Sequence, residues 1–206
     1  MIPPEPIDPR DPGYVRALVD FVSAPPFELF QVYEELLEVA HWIAGFRPHN
    51  VLEIGTAGGT FVMLSRLATG LKVSVDTRDL RALLAPWMDG SAHFVQGDSQ
   101  SYETSRRVRA FGESFDLIFI DGDHSYSGVA RDFVIYRTML SPRGVILFHD
   151  VDPDHVFKNR EGGECARFWA ELDEGSKTML CCSRSTGRLA CHGHTVHFGG
   201  FGIWRP

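Results

Sequence analysis

Two short segments bring acidic and histidine side chains to the ends of apolar runs. The segment "FDLIFIDGDHSY" carries Asp121, Asp123 and His124 directly after its apolar run, and "LFHD" ends another run with His149 and Asp150. His124 is a candidate general base, because an unperturbed imidazole titrates near neutral pH. The alternative is that Asp121 or Asp123 caps the next helix and that His124 only packs there.

The same segments could hold a divalent metal ion. Asp121, His149 and Asp150 would converge from adjacent strand ends and could bind Mg²⁺ or another hard cation, which would acidify a hydroxyl group on an acceptor. A shell that mixes histidine with carboxylates also suits softer ions. We therefore expect catalytic roles for Asp121, His124 and His149, and we leave the presence of a metal at Asp121, His149 and Asp150 open.

A glycine-rich turn follows an earlier apolar run, in "VLEIGTAGGTF" at residues 51–61. Gly55, Gly58 and Gly59 follow the order G-x-x-G-G, whereas a dinucleotide-binding turn requires G-x-G-x-x-G. Glu53 stands two residues before the first glycine, where a carboxylate would attract an ammonium or sulfonium centre. This arrangement favours S-adenosylmethionine over a nucleotide pyrophosphate, although a glycine-rich turn can also serve tight packing alone.

Two further acids end the next two apolar runs. Asp76 closes "KVSVD", 23 residues after Glu53, which is where such folds place the carboxylate that accepts the ribose hydroxyls. Asp98 lies in "VQGDS" and could accept a hydrogen bond from an adenine amino group. Each acid alone is also typical of a helix N-cap. Together with Glu53 they predict one acidic row along a cofactor pocket.

The elements that must position these residues follow a βαβ pattern. Strands are predicted at residues 51–54, 72–75, 93–96, 117–120 and 145–148, with longer segments between them that can be helical. The predicted strands are apolar nearly throughout, as expected for strands covered by helices on both faces. The fold class is therefore predicted as α/β, a Rossmann-like doubly wound sheet. "TMLCCS" and "HTVHFGGFGIW" are predicted to add an antiparallel pair at the sheet edge, after a helix in "ECARFWAEL".

The 206 residues are expected to form one domain. Residues 1–26, rich in Pro and Asp, are interpreted as an N-terminal arm or lid, residues 27–46 as an amphipathic helix, and residues 47–206 as the Rossmann-like core. The polar segment after the fifth strand, with Asp152, Asp154 and His155, is expected to lie over the acceptor pocket.

Composition limits the possible partners. The net charge of −7 and the scattered Lys and Arg residues argue against nucleic acid, and no apolar run approaches the roughly 20 residues that span a bilayer. The first residues do not resemble a secretory signal, so a cytoplasmic location is expected. The four cysteines lack paired C-x-x-C spacing, and the "CHGHTVH" segment is not favoured as a zinc site.

From about residue 27 onward the chain resembles the class I S-adenosylmethionine-dependent methyltransferases. It is most similar to a small bacterial group with an "IDGDHSY" segment, which includes proteins labelled cephalosporin hydroxylase-like and sugar or macrolide O-methyltransferases. The resemblance runs through "VYEELLEVA", "VLEIGTAGGT", "GDS", "DLIFIDGDHSYSGVARDF", "LSPRGVILFHDV" and "RFWAEL". It implies a seven-stranded sheet with a reversed last strand. Metal-using relatives carry paired acids on the fifth strand, where this chain has His149 before Asp150.

Motifs and resemblance together define a set of expected cofactor contacts. These are Glu53, Gly55, Thr56, Ala57, Gly58, Gly59 and Thr60 around the methionine part, Asp76 at the ribose, Gly97, Asp98 and Ser99 at the adenine, and Asp121. The expected activity is methyl transfer to a hydroxyl, with an amine second, of a small polar metabolite such as a sugar-bearing natural product. The alternatives are a nicotinamide-dependent oxidoreductase and a non-catalytic cofactor-binding subunit. A homodimer is also left open.

Overall fold

The structure is a computed structural model that describes residues 8–27, 29, 31–152, 162–181, 187–188, 195–196 and 199–206. Its strands are β1 (Val51–Ile54), β2 (Lys72–Asp76), β3 (Ala92–Gln96), β4 (Phe115–Ile120), β5 (Leu140–His149), β6 (Ser176–Cys181), β7 (Gly187–Arg188), β8 (Thr195–Val196) and β9 (Phe201–Arg205). Its helices are α1 (Pro12–Val22), α2 (Tyr33–Phe46), α3 (Gly59–Leu67), α4 (Arg81–Leu84), α5 (Tyr102–Phe111), α6 (Tyr126–Tyr136) and α7 (Gly162–Glu171).

Within the described residues, seven strands form one sheet in the order β3-β2-β1-β4-β5-β9-β6. The pairs from β3 to β5 are parallel, and β9 runs antiparallel between β5 and β6. The predicted α/β class, with a mostly parallel sheet and an antiparallel edge, is confirmed. β7 and β8 form a separate two-stranded ribbon.

The strand order reverses at β1, which lies between β2 and β4. In open parallel sheets ligands bind outside the carboxyl ends of the strands at such a switch point. The backbone continues the ladder for one residue past the strand ends, since Gly55 N–H donates to Val75 O over 2.9 Å and Asp121 N–H donates to Ile54 O over 2.9 Å. The glycine-rich turn and Asp121 therefore start from neighbouring strand ends.

Two apolar layers cover the sheet. One contains the buried faces of α1, α2 and α3, and the other contains those of α6 and α7. In β1, Val51 packs into the first layer while Leu52 and Ile54 pack into the second, as the alternation of side chains along a strand requires. Glu53 shares the face of Val51 and so points toward the layer that contains α3.

α1 lies in the region predicted as a mobile arm. Val15, Leu18, Val19 and Val22 recur at helical spacing and are fully buried in the layer with α2 and α3. Asp11 caps the helix by accepting a hydrogen bond from Tyr14 N–H over 2.8 Å. This helix packs into the core, within the residues 1–26 that were interpreted as an N-terminal arm or lid.

Two predicted boundaries differ in the structure. α2 begins at Tyr33 instead of residue 27, because Phe27 and Leu29 pack into the core from non-helical backbone. The last predicted strand is interrupted by Gly199 and Gly200, which both have positive φ, and only Phe201–Arg205 joins the main sheet. None of the helices in the described part of the chain is long and apolar enough to cross a membrane.

Candidate active site

The turn after β1 packs directly against the loop after β4. Gly55 has a φ of 79°, and a Cβ atom at this position would lie 2.2 Å from Asp121 O and 2.4 Å from Gly122 Cα. Only glycine allows this approach, because any side chain would collide with the backbone of the neighbouring loop. The close contact brings the predicted cofactor turn next to the predicted catalytic residues.

The other turn glycines are explained by packing inside the protein. A Cβ atom at Gly58 would lie 2.8 Å from Leu83 Cδ2, and one at Gly59 would lie 2.9 Å from both Leu29 Cδ2 and Val22 O. Gly58 also has a φ of 91° at the N-cap of α3. Gly59 therefore packs closely against the end of α1 and Leu29, and its contact with a cofactor stays a prediction.

Glu53 lies beneath the turn and is fully buried. Its Oε2 accepts a hydrogen bond from Ser74 Oγ over 3.0 Å. Burial raises the pKa of Glu53 to about 7, against the opposing effect of hydrogen bonds from the hydroxyls of Thr60, Thr56 and Ser74. Because the Glu53 side chain is fully buried, it would act on a cationic ligand only through the glycine-rich turn that lies above it.

Asp76 links the ends of β1 and β2. Its Oδ2 accepts from Thr56 N–H over 3.0 Å, and its Oδ1 accepts from Arg78 N–H over 2.8 Å and from Arg78 Nε over 3.2 Å. Arg78 Nη2 also donates to Thr56 O over 2.7 Å. The predicted ribose acceptor thus faces the turn, and Arg78, which the sequence interpretation missed, is its ionic partner. Ala57 follows Thr56 in the same turn and is partly buried.

The loop after β3 holds the three residues predicted at the adenine. Asp98 is exposed, and its Oδ1 accepts from Gln100 N–H over 2.9 Å. A Cβ atom at Gly97 would lie 2.3 Å from Thr104 Oγ1, so α5 closes against the loop at this point. Ser99 turns its hydroxyl inward, away from Asp98.

Asp121, His124 and Asp150 converge at the ends of β4 and β5. His124 Nε2 lies 3.4 Å from Asp121 Oδ1, and His124 Nδ1 lies 3.3 Å from Asp150 Oδ2. The hydrogen bond to Asp121 raises the pKa of His124, and burial acts against this change. The His124 side chain remains 32% exposed, which leaves the imidazole accessible to an acceptor.

These three residues can supply one ligand atom each to a metal ion, with all three atoms within 4.8 Å of one another. Asp150 adopts a φ of 59°, which directs its carboxylate back to the site, and among the described residues its Oδ1 has no hydrogen-bond partner. Two carboxylates with an imidazole form a donor set for a divalent cation. The residues present therefore fit a metal ion.

His149 takes a different place from the one predicted. It is not part of the three-residue group, and its Nδ1 lies 3.2 Å from Asp121 Oδ1 and 3.5 Å from Asp150 Oδ1. Burial disfavours the charged form, but the carboxylates of Asp150 and Asp121 outweigh it and raise the pKa of His149 to about 9. With no cation bound, this environment makes His149 a positive counter-charge beside Asp121 and Asp150.

The contacts with His149 and His124 also change the pKa of Asp121. Although burial opposes its ionisation, the neighbouring imidazole groups of His149 and His124 hold the pKa of Asp121 below its usual value. Asp121 is therefore a carboxylate at neutral pH.

Two polar residues from the N-terminal part support this corner and were missed at the sequence level. Gln31 Nε2 donates to Asp121 Oδ2 over 2.7 Å, and Glu35 Oε2 accepts from Gly200 N–H over 3.0 Å. Both side chains are buried. Their signal in the sequence was a polar residue on the apolar side of an amphipathic segment.

Several predicted residues lie outside the described ranges. Asp154 and His155 of the acceptor loop are among them, as are Cys182, Cys191, His192, His194 and His197. Asp152 is described and buried, and its N–H donates to Gly199 O over 2.9 Å. Cys165 is a buried free thiol that contacts His124 O over 3.6 Å.

Comparison with known proteins finds a family model that matches the central part of the chain. Residues 52–151 match the family model described as "Methyltransferase domain". A protein of Sinorhizobium fredii (strain NBRC 101917 / NGR234), "Uncharacterized protein y4gI", is 30% identical over 148 residues, which are 64% of this chain and 16% of that protein. The chain thus spans less than a fifth of this relative's length.

Solved structures share the fold at low sequence identity. A putative caffeoyl-CoA O-methyltransferase from Staphylococcus aureus matches with a TM-score of 0.63 and 15% identity, over 93% of this chain and 92% of that one. Cofactor-bound Rv0187 from MTB matches with a TM-score of 0.60 and 20% identity, over 93% and 87%. The MycE methyltransferase of the mycinamycin biosynthetic pathway, in complex with Mg, SAH and mycinamycin VI, matches with a TM-score of 0.52 and 22% identity, over 66% and 39%.

Proposed function

We propose that this chain, whose residues 52–151 match a methyltransferase domain, transfers the methyl group of S-adenosylmethionine to a hydroxyl of a small polar acceptor, with a divalent cation at the site. The expected acceptors are metabolites such as sugar-bearing natural products, and an amine acceptor is the second choice. S-adenosylmethionine and the cation would be the cofactors.

The observation that carries this proposal is the convergence of Asp121, His124 and Asp150 beside the turn at Gly55. The turn supplies the cofactor side of the site, and the three side chains supply the acceptor side. Methyl transfer is an in-line displacement at carbon, so the chain mainly has to align the acceptor and remove its proton.

Each residue then has a defined task. We assign the base role to His124, the most exposed side chain of the cluster, and the ligand roles to the two carboxylates; His124 would then accept the proton of the acceptor hydroxyl. Asp121 and Asp150 would hold the cation, and His149 balances their charge from the buried side. A bound divalent cation supplies Lewis acidity that favours loss of the acceptor proton.

Two further observations support the choice of acceptor. The net charge of −7 disfavours polyanionic substrates. The MycE structure, which shares the fold, contains Mg and SAH together with mycinamycin VI, and the staphylococcal protein is titled a putative O-methyltransferase. These likenesses suggest the class of acceptor to test first.

The test is S-adenosylhomocysteine release from S-adenosylmethionine with a panel of hydroxyl and amine acceptors, with and without a chelator. We expect turnover with a hydroxyl acceptor, loss of turnover on chelation and recovery with added Mg²⁺ or Mn²⁺. His124→Asn should abolish turnover while S-adenosylhomocysteine still binds. Binding of the cofactor without turnover of any acceptor would instead favour a non-catalytic subunit, and chelator-insensitive turnover would remove the metal from the proposal.

A further inference from the structure

Two buried polar residues of α6 hold the loop after β3 at a single position. Ser99 Oγ donates to Asp132 Oδ1 over 2.8 Å, and Tyr136 OH donates to Ser99 O over 2.8 Å. Asp132 and Tyr136 stand four residues apart, one helical turn, and both are fully buried. The hydroxyl and the carbonyl of Ser99 are therefore anchored to the same face of α6.

Ser99 is the inner member of the loop that carries Asp98 and Gln100. Gly97 N–H donates to Asp76 O over 2.9 Å, so this loop starts beside the end of β2. The outward-facing Asp98 is held to the following backbone by its contact with Gln100 N–H. Ser99 is the only residue of 97–100 for which the structure shows contacts to α6 through both side chain and carbonyl. Gln100 adds side-chain contacts to Arg131 and Asp123, so Ser99 is the main inward anchor of the loop and Gln100 an outer one.

A buried aspartate is an unfavourable choice at position 132 if the residue serves only to stabilise the fold. Its second oxygen, Oδ2, has no hydrogen-bond partner among the described residues, and it lies near Gly122, where a Cβ atom would be 3.5 Å away. Val129 and Phe133 of the same helix face belong to the apolar core. A buried carboxyl with one unsatisfied oxygen is less favourable here than an apolar side chain of similar volume.

The position of Asp132 links two parts of the site. One oxygen holds the loop after β3, and the other lies beneath the loop after β4 that contains Asp121 and Gly122. Burial raises the pKa of Asp132 to about 7, and the carboxylates of Asp123 and Asp98 act in the same direction. In either protonation state the Oδ1 atom can accept the hydrogen bond from Ser99.

We propose that Asp132 is a positioning residue for the adenine of the cofactor, acting through Ser99 on the loop at residues 97–100. This inference rests on the proposed S-adenosylmethionine dependence. Without the contact from Asp132, the loop would lose its fixed orientation, and Asp98 would no longer be held where it can accept from the adenine amino group.

The test compares the binding of S-adenosylhomocysteine with that of S-inosylhomocysteine, in which the adenine amino group is replaced by oxygen. Calorimetry on the full chain would use Asp132→Ala, Asp132→Asn and Ser99→Ala. We expect Asp132→Ala and Ser99→Ala each to weaken S-adenosylhomocysteine binding about tenfold and to reduce the preference for adenine over inosine. Asp132→Asn should retain the preference, because its amide oxygen can accept from Ser99.

Ser141→Ala provides the matched control. Ser141 Oγ donates to Asp116 Oδ1 over 2.7 Å at the opposite end of the sheet, so this change also removes a serine–aspartate hydrogen bond. We expect the adenine preference to be unchanged in this variant. The double variant Ser99→Ala/Asp132→Ala should be no worse than either single change, since both remove the same contact.

The outcomes separate this inference from the proposed function. An unchanged adenine preference in both Ser99→Ala and Asp132→Ala overturns the positioning role, even if the variants are less stable. If Asp132→Ala does not fold, Ser99→Ala decides alone, because its side chain lies in the loop. Failure of the unsubstituted protein to bind S-adenosylhomocysteine would overturn the proposed function, and this inference with it.

Discussion

His149 Nδ1 lies 3.2 Å from Asp121 Oδ1, where β4 and β5 end side by side. The histidine is almost completely buried; burial lowers its pKa, but the carboxylates of Asp150, Asp121 and Glu35 outweigh this effect and raise it. The imidazole of His124 also interacts with it electrostatically. The pair of His149 and Asp121 is therefore an ionic contact inside the protein. It separates the role of His149 from that of the more exposed His124.

This ionic contact predicts the pH dependence of stability. A histidine whose pKa is raised from 6.5 to about 9 contributes stability that is fully present below 6.5 and is lost as the pH rises through 9. Relative to His149→Gln, the unsubstituted protein should lose on the order of 3 kcal/mol between pH 6 and 10. Urea unfolding of both proteins with a chelator present measures this difference. A constant difference across the range would contradict the ionic contact.

The contribution of Asp132 to folding stability should also depend on pH, but over a lower pH range and because of burial. A buried acid whose pKa is raised to about 7 keeps its proton in the folded state after the unfolded chain has lost it at about 3.8. The unsubstituted protein should therefore lose stability relative to Asp132→Asn as the pH rises from 4 to 7, by up to about 4 kcal/mol, and change no further above pH 8.

Urea unfolding of the two proteins at pH 4.5, 6 and 7.5 tests this expectation. Glu53 has a similarly raised pKa, but it is present in both proteins and its effect cancels in the difference. A difference that grows in the opposite direction would show that Asp132 is a stable carboxylate in the folded state.

Metal binding should depend on Asp150 and not on Asp123. Asp150→Asn removes one of the two carboxylates of the three-residue group, so the affinity for Mn²⁺ should fall by at least the roughly 10- to 100-fold that loss of an outer-shell partner costs. Asp123→Asn is the control, because Asp123 lies in the loop after β4 with Asp121 and His124 but accepts hydrogen bonds from Ser125 N–H and Gln100 Nε2. Equal losses in both variants, measured by calorimetry, would reject the proposed metal position.

Two helical glycines, Gly59 in α3 and Gly45 in α2, are predicted to respond in opposite ways to a change to alanine. Gly59→Ala should destabilise the fold by about 1 to 3 kcal/mol, because the new methyl group would lie 2.9 Å from Val22 O and Leu29 Cδ2. Gly45→Ala in α2 meets no atom within 4 Å and should be neutral or stabilising by up to about 1 kcal/mol. Thermal unfolding of the two variants compares them, and an unaffected Gly59→Ala protein would contradict the packing explanation.

The sheet was predictable because its strands carry apolar residues on both faces, as in residues 117–120, and are followed by turn residues. The sequence around α1 shows a short helical stretch, but its Pro- and Asp-rich surroundings suggested an arm or lid. The packing into the core comes from the buried face of the helix, Tyr14, Val15, Leu18, Val19 and Val22. Local pattern carries no information about which distant surface a short helix covers.

The candidate site was predicted in part for the same physical reason. Strand order brings Asp121 and Asp150 together, and both were identified. Which of the two histidines joins them depends on burial and on nearby carboxylates, neither of which spacing reveals. The role of Asp132 had a signal in its sequence, a carboxylate between the apolar residues Val129 and Phe133.

The contacts of Gln31 and Glu35 determine how much of the polypeptide is needed to keep this site intact. These residues precede the matched segment 52–151, and Gly200, the partner of Glu35, follows it. A recombinant fragment cut to the matched segment would leave Asp121 without its amide donor and the edge of β5 without β9. Recombinant protein for biochemical work must therefore extend from α1 through Arg205 to retain both supports.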